Sequence, residues 1–321
     1  MSVLSNRLTL PLKSFLTPRI IQLVVLILLA TLPFYASIYT RILLSTIFMY
    51  IVLTLSWAIF SGPTGQISLA TAAFFGIGIY VAATLGNYLP LLVVVLVGGL
   101  ASFAMALLVG SLTLRLKGVY FTIFTFGLLE LMKFLLLWFE VKFTGTRGRF
   151  VVVVDYNTVY FIMLAILALT LLTAYLIRKS KYGLALQSIG EQEEAAEHIG
   201  INVTLLKVFT FAISAFFIGA AGTIMATRWT YIDPFIAFNM ELSFTPVLMA
   251  TFGGMGQLLG PVLGATIFAY LEEVLITQFP YYYMLFFGTV LVVTVLFLPN
   301  GLIGLIQKWR ARTTGGKNAH S

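Results

Sequence analysis

The side chains most able to do chemistry in this 321-residue chain gather in one polar stretch from Tyr182 to Val203. There Glu191, Glu193, Glu194 and Glu197 place four of the eleven acidic residues within seven positions. None of the familiar catalytic patterns accompanies them: no H-E-x-x-H, no G-x-S-x-G and no carboxylate pair facing a common site is readable. The chain has no cysteine, which excludes disulfides, thiol catalysis and cysteine-bound zinc. His198 and His320 lack metal-ligand spacing, and Gly315-Gly316-Lys317 lacks the upstream glycine of a phosphate-binding loop and runs into Asn318. Neither catalytic residues, nor a metal, nor a cofactor of its own is therefore expected. What remains is recognition, by an acidic segment expected as two short helical pieces, hinged at Gly190 and stopped at Gly200. Gly200 suits the left-handed turn that ends a helix.

A second chemical candidate is Glu130, about eleven residues into an apolar run, where a charge near the bilayer midplane is costly. Lys133, three residues on, shares its helical face. Two readings fit: an intrahelical pair that hides the charge, or a residue of a solute pathway. Tyr120, Thr122 and Thr125 are further polar candidates on the same run.

The elements that must position these groups are membrane helices. Hydrophobic residues make up 60% of the chain and charged ones 9%, with a mean hydropathy of +1.03, a balance that a water-soluble fold does not have. An apolar run of about 20 residues spans the bilayer as a helix. Ten runs qualify: 21–39, 42–61, 66–85, 90–114, 119–138, 158–178, 205–227, 241–256, 260–278 and 281–299. The expected fold is all-α, a polytopic helical bundle of about ten spans. The short, glycine-interrupted 66–85 and 241–256 are candidates for broken or re-entrant helices. By this reading 1–20 is an N-terminal segment, 21–305 the membrane domain with the polar stretch 181–203 inserted in it, and 306–321 a basic tail. The first run is read as an uncleaved anchor.

Charge bias predicts the orientation. With both termini in the cytoplasm, thirteen of the nineteen basic residues fall inside: Arg7, Lys13, Arg19, Arg115, Lys117, Arg178, Lys179, Lys181, Lys207, Lys308, Arg310, Arg312 and Lys317. Arg41, Lys142, Arg147, Arg149 and Arg228 fall outside, and Lys133 within a span. The net charge of +8 then follows from topology and calls for no nucleic acid. Four external cations invite a further reading. Lys142, Arg147, Arg149 and Arg228 either pair with Glu140, Asp155, Asp233 and Glu241 on the same loops or form a dock for an acidic partner.

Within the polar stretch, Glu194-Ala195-Ala196-Glu197-His198-Ile199-Gly200 places small alanines on one helix face and a terminating glycine at its end. A helix of this kind can lie in a partner's groove or merely cap the bundle. The string resembles the coupling segment of ABC-importer permeases, specifically the LivM type of the branched-chain amino acid family. The resemblance continues in Gly62-Pro-Thr-Gly-Gln-Ile-Ser-Leu69, Ala72 to Tyr80, Leu116 to Thr122, Gly200 to Thr204, Phe211 to Gly222, Gly253 to Gln257, Gly260 to Gly264 and Leu298 to Ile303. It departs at Thr144-Gly-Thr-Arg-Gly-Arg149, where the family shows a Thr-Gly-Gly string.

The resemblance implies a non-catalytic permease of the bacterial inner membrane. Its implied partners are a second, LivH-type permease, two ATPase subunits that bind ATP and magnesium, and a periplasmic or surface-anchored solute-binding protein. It assigns coupling to Ser188, Gly190, Glu191, Glu193, Glu194, Ala195, Ala196 and Gly200. The solute it implies is a branched-chain amino acid, with urea, amides and other small solutes as alternatives. Gly62-x-x-Gly65-Gln66 and Gly253-x-x-Gly256-Gln257 repeat one pattern. They read either as unrelated turns or as hinges of broken helices beside a pathway, which adds Gln66, Ser68 and Gln257 to the pathway candidates with Glu130. An ion-coupled transporter, a passive channel and a membrane enzyme are the competing classes; the first would need ionisable midplane relays.

Overall fold

The computed structural model describes residues 28–279 and, beyond these, only positions 281, 282, 285, 288, 289, 292 and 301. The N-terminal segment, most of the run 281–299, the motif at 298–303 apart from Gly301, the basic tail and His320 lie outside the described residues.

The helices are α1 (Ile38–Thr64), α2 (Thr71–Leu85), α3 (Leu91–Thr113), α4 (Val119–Phe139), α5 (Tyr156–Lys179), α6 (Lys181–Glu191), α7 (Glu193–His198), α8 (Val203–Ala226), α9 (Pro234–Ala237), α10 (Glu241–Gly253) and α11 (Leu259–Gln278). Two short strands, β1 (Arg149–Phe150) and β2 (Tyr231–Ile232), pair antiparallel. Among the described residues, seven helical stretches are long and apolar enough to cross a membrane, and α2 is a shorter apolar helix. The polytopic bundle is therefore as expected, while the first boundary is not. Ser37 accepts a hydrogen bond from the Thr40 amide at 3.2 Å and starts α1 at Ile38, inside the run assigned to the first span. The 3₁₀ turn Leu32–Phe34 precedes it.

Helices α1 and α8 are apolar around most of their circumference, and both are largely buried. Helix α8 packs most extensively against α3 and α2, and small residues let it. A side chain on Gly78 would strike the Gly219 carbonyl, one on Gly222 the Phe75 carbonyl, and one on Gly98 the Thr223 hydroxyl. Thr223 Oγ1 reaches the carbonyls of Gly78 at 3.1 Å and Gly219 at 2.9 Å, the close approach by which membrane helices bind one another without a hydrophobic driving force.

At one end of the bundle sit Gly65 and Gln66 at the end of α1, residues 114–118, α6–α7 and the 254–258 turn. Gln66 Nε2 donates to the Leu116 carbonyl at 3.4 Å and Arg178 to that of Gly256 at 2.6 Å. At the opposite end Arg41 reaches Asn157 at 2.7 Å, and the β1–β2 ribbon closes over the loops.

Candidate functional site

Three places carry the sequence candidates. The first is the break between α1 and α2. Gly65, with φ of +68°, ends α1, and residues 66–69 then run without helical hydrogen bonds before Thr71 starts α2. Buried backbone groups cannot go unpaired inside a membrane protein, and side chains from three helices pair them here. Trp57 Nε1 donates to the Ser68 carbonyl at 2.8 Å and Thr122 Oγ1 to that of Ile67 at 2.8 Å. The Leu69 amide donates to Thr125 Oγ1 at 3.0 Å. Ser243 of α10 donates to the Leu69 carbonyl at 2.7 Å and accepts from the Ala72 amide at 3.2 Å.

Two interrupted helices, α2 with 15 residues and α10 with 13, thus meet inside the bundle through Ser243. The break gathers four pathway candidates, Gln66, Ser68, Thr122 and Thr125. Tyr120 lies on the exposed face of α4, and Gln257 is exposed in the 254–258 turn. Ser243 and Trp57 were not legible as partners, although Ser243 falls in one of the runs marked as broken. Ser61 Oγ and Gln66 Oε1 are buried beside the break without a hydrogen-bond partner. Ser61 faces a void of about 10 Å³ with Ser68, Thr71 and Ser214, room for about one water.

The repeated G-x-x-G-Q pattern does not make two equivalent hinges. The left-handed residue is Gly65, the second glycine of the first copy, but Gly254, between the two glycines of the other, with φ of +96°. Glu130 is met by Lys133 Nζ at 2.6 Å, the intrahelical pair; Lys133 also lies 5.7 Å from the centre of the Phe235 ring. The carboxylates the sequence reading passed over are on α11: Tyr50 donates to Glu272 at 3.2 Å and Tyr39 to Glu273 at 3.1 Å, tying α11 to α1.

The second place is the polar stretch. Ser180 caps α6 through the Gly183 amide at 3.4 Å. The break between the two pieces falls at Gln192, extended with φ of −157° and ψ of 105°, and not at Gly190. Gly190 is helical, and a side chain there would strike the Pro63 carbonyl at the end of α1. It is glycine because α6 lies directly on α1. Gly200 does take the left-handed turn, φ +88°, with open space where a Cβ would be. Ala196 is 1% exposed, packed with Ile189 and Val203, so its small size serves the protein's own packing. Glu191, Glu194, Ala195 and Glu197 face outward, and Ser188 is half-buried. Glu193 turns inward to Lys207 Nζ at 2.8 Å, a lysine side chain only 1% exposed. Beneath α6 lies a cavity of about 260 Å³, walled by α1, α5 and the 254–258 turn, with Arg178, Gln187 and Glu191 as its polar lining.

The third place is the opposite end. Arg147 pairs with Asp233 at 2.7 Å, and Arg149 with Glu140 at 3.3 Å. Glu140, 1% exposed, also accepts from the Gly148 amide at 2.9 Å. Lys142 stands 5.0 Å over the Trp138 ring. Arg228 is turned inward to Thr46 at 2.9 Å, and burial pushes its guanidinium down from the ordinary value. Asp155 and Asp233 cap helices, at the Asn157 amide and at the Phe235 and Ile236 amides. Among the described residues no group of histidines and carboxylates could hold a metal ion.

A helical membrane bundle with interrupted helices meeting in its buried interior, and an acidic two-helix element carried at one end, has the build of a membrane transport protein. Residues 39–295 match the family described as branched-chain amino acid transport system, permease component, and the chain belongs to that family. It is 29% identical to the high-affinity branched-chain amino acid transport system permease protein LivM of Salmonella typhimurium, across 81% of this chain and 68% of that protein. It is 29% identical to the LivH permease protein of Escherichia coli K12, across 44% of each chain. The ribose import permease protein RbsC of Haemophilus influenzae is 30% identical across 38% of this chain and 40% of its own. No solved structure matches.

Proposed function

We propose that this chain is the translocating subunit of an ATP-driven, binding-protein-dependent importer in the bacterial inner membrane, taking branched-chain amino acids. The observation that carries the reading is α6–α7. It is a two-piece element that leaves Glu191, Glu194, Ala195 and Glu197 facing outward while Ile189 and Ala196 anchor it. Arg115, Lys117, Arg178, Lys179 and Lys181 lie at the same end of the bundle, which favours a cytoplasmic location for that end and, with it, for both termini.

In this reading a second, LivH-type permease completes the pathway, and two ATPase subunits bind ATP and magnesium and dock on α6–α7. An external solute-binding protein meets the opposite end, where Arg147 and Lys142 are the accessible cations. This chain binds no cofactor and breaks no bond. Closure of the ATPase pair moves α6–α7, and the bundle follows between outward-open and inward-open states. The cavity under α6 gives that element room to tilt without overpacking. The branched-chain solute rests on the relatives of the LivM type.

One observation favours a second reading, ion-coupled transport: Glu272 Oε2 is buried within α11 without a hydrogen-bond partner. A test separates the two at the docking element. Cysteines in place of Glu194 and Ala195 should crosslink to the co-expressed ATPase subunit in native membranes. Labelling of those cysteines by an impermeant reagent from outside intact cells would overturn the reading.

A further inference from the structure

Lysine is among the residues least often buried without a partner, yet the Lys207 side chain is 1% exposed and its Nζ meets Glu193 Oε2 at 2.8 Å. The two ends of this bond belong to different parts of the fold. Glu193 is the first residue of α7, where a carboxylate also suits the positive end of a helix. Lys207 lies one turn into α8, the helix that packs against α2 and α3. One turn further along α8, the Phe211 ring meets those of Phe60, Phe74 and Phe121 at 5.0, 5.2 and 6.0 Å. Phe211 also lines the small void that Ser61 and Ser68 share at the break between α1 and α2.

We infer that Lys207 is a positioning residue for energy coupling, a buried socket that makes α8 follow α7, so that motion of the docking element reaches the interrupted helices. This rests on the importer reading above and revises the role of one of its residues. Glu193 serves the bond to α8, and the partner-facing carboxylates are Glu191, Glu194 and Glu197. Geometry supports a link of this kind. The connection from α7 to α8, residues 199–202, contains the left-handed Gly200, and beside the ion pair the two helices are joined by the packing of Ala196 with Val203. A charged bond with its lysine end buried is directional and less screened than a surface pair, and apolar packing alone has no such direction.

The test uses the complete complex reconstituted in proteoliposomes, with uptake of labelled leucine and ATP hydrolysis measured together. Lys207→Met is the lead variant, because the Glu193 carboxylate it leaves is 25% exposed and can be hydrated. Glu193→Gln instead strands a buried charge. The inference predicts that Lys207→Met keeps receptor-stimulated hydrolysis but lowers uptake per ATP about tenfold. Lys207→Arg should retain coupling, and the exchanged pair Glu193→Lys with Lys207→Glu should recover most of it. A purely structural bond would lower hydrolysis and uptake in the same proportion, or leave uptake per ATP unchanged in Lys207→Met, and either result overturns the inference. Wild-type complex whose uptake ignores ATP would overturn the importer reading along with it, so the two failures are told apart by the wild-type control.

Discussion

Ser243 and Thr125 each hold the backbone of an interrupted helix, and their loss should be felt as unpaired buried groups. Ser243→Ala strands the Leu69 carbonyl and the Ala72 amide, and a stranded buried group costs about 1–3 kcal/mol. The melting temperature of the detergent-purified protein should fall by several degrees, while Thr122→Val, nearer the surface, falls less. Equal melting of Ser243→Ala and wild type would mean that water or a neighbour takes over the bonds. Glycine behaves differently at two nearby positions. Gly200→Val places a β-branched residue at φ +88°, which costs about 1–3 kcal/mol and should lower transport while membrane insertion persists; a fully active variant refutes the turn. Gly190→Val meets no such φ but collides with the Pro63 carbonyl, so it should displace α6 from α1. The sequence announced Gly200 because a terminating glycine has a local signature. It could not announce Gly190's role or Ser243's, because both depend on a backbone more than fifty residues away.

Among the elements, the spans were legible where an apolar run ends at a cap or a glycine. Runs 90–114, 119–138, 158–178 and 205–227 lie within two residues of α3, α4, α5 and α8 at both ends. The boundary before α1 differs because the polar Tyr39-Thr40-Arg41 draws the break in hydropathy past Ser37, whose side-chain cap starts the helix at Ile38. Both runs expected to be interrupted are short helices: α10 is capped by Gly254, but α2 is short because residues before Thr71 are not helical while Gly76 and Gly78 lie within it. What joins the two is a tertiary hydrogen bond that no periodicity encodes. The outer ribbon shows the same limit. The external cations are legible as charges in the sequence, while the fold decides that Arg149 belongs to a buried Glu140. Glu140→Gln weakens that pair and leaves the partly exposed Arg149 to be hydrated, so it should destabilise by about 1–3 kcal/mol, read by thermal unfolding; unchanged stability would make Glu140 a surface group in effect. Arg147, 51% exposed, is the better probe of docking. If it steers an acidic receptor, Arg147→Gln should weaken receptor binding more at 0.1 M salt, where charges reach about 10 Å, than at 1 M, where they reach about 3 Å. An effect equal at both salts would assign Arg147 to Asp233 alone.

The whole molecule behaves as a lever: an acidic pair of helices at one end, an ion pair to a buried lysine leading into α8, and two interrupted helices joined inside the bundle by one serine. Composition was enough to predict a membrane bundle, since so apolar a chain has few other ways to satisfy its backbone. The transport class came from the docking element and the family to which the chain belongs. The most direct measurement is leucine uptake by proteoliposomes holding the complete complex, with ATP and the proton gradient varied independently. Uptake should require ATP and the solute-binding protein and survive an uncoupler. Uptake that collapses with the proton gradient and proceeds without ATP would contradict the importer reading and point to Glu272 in place of α6–α7.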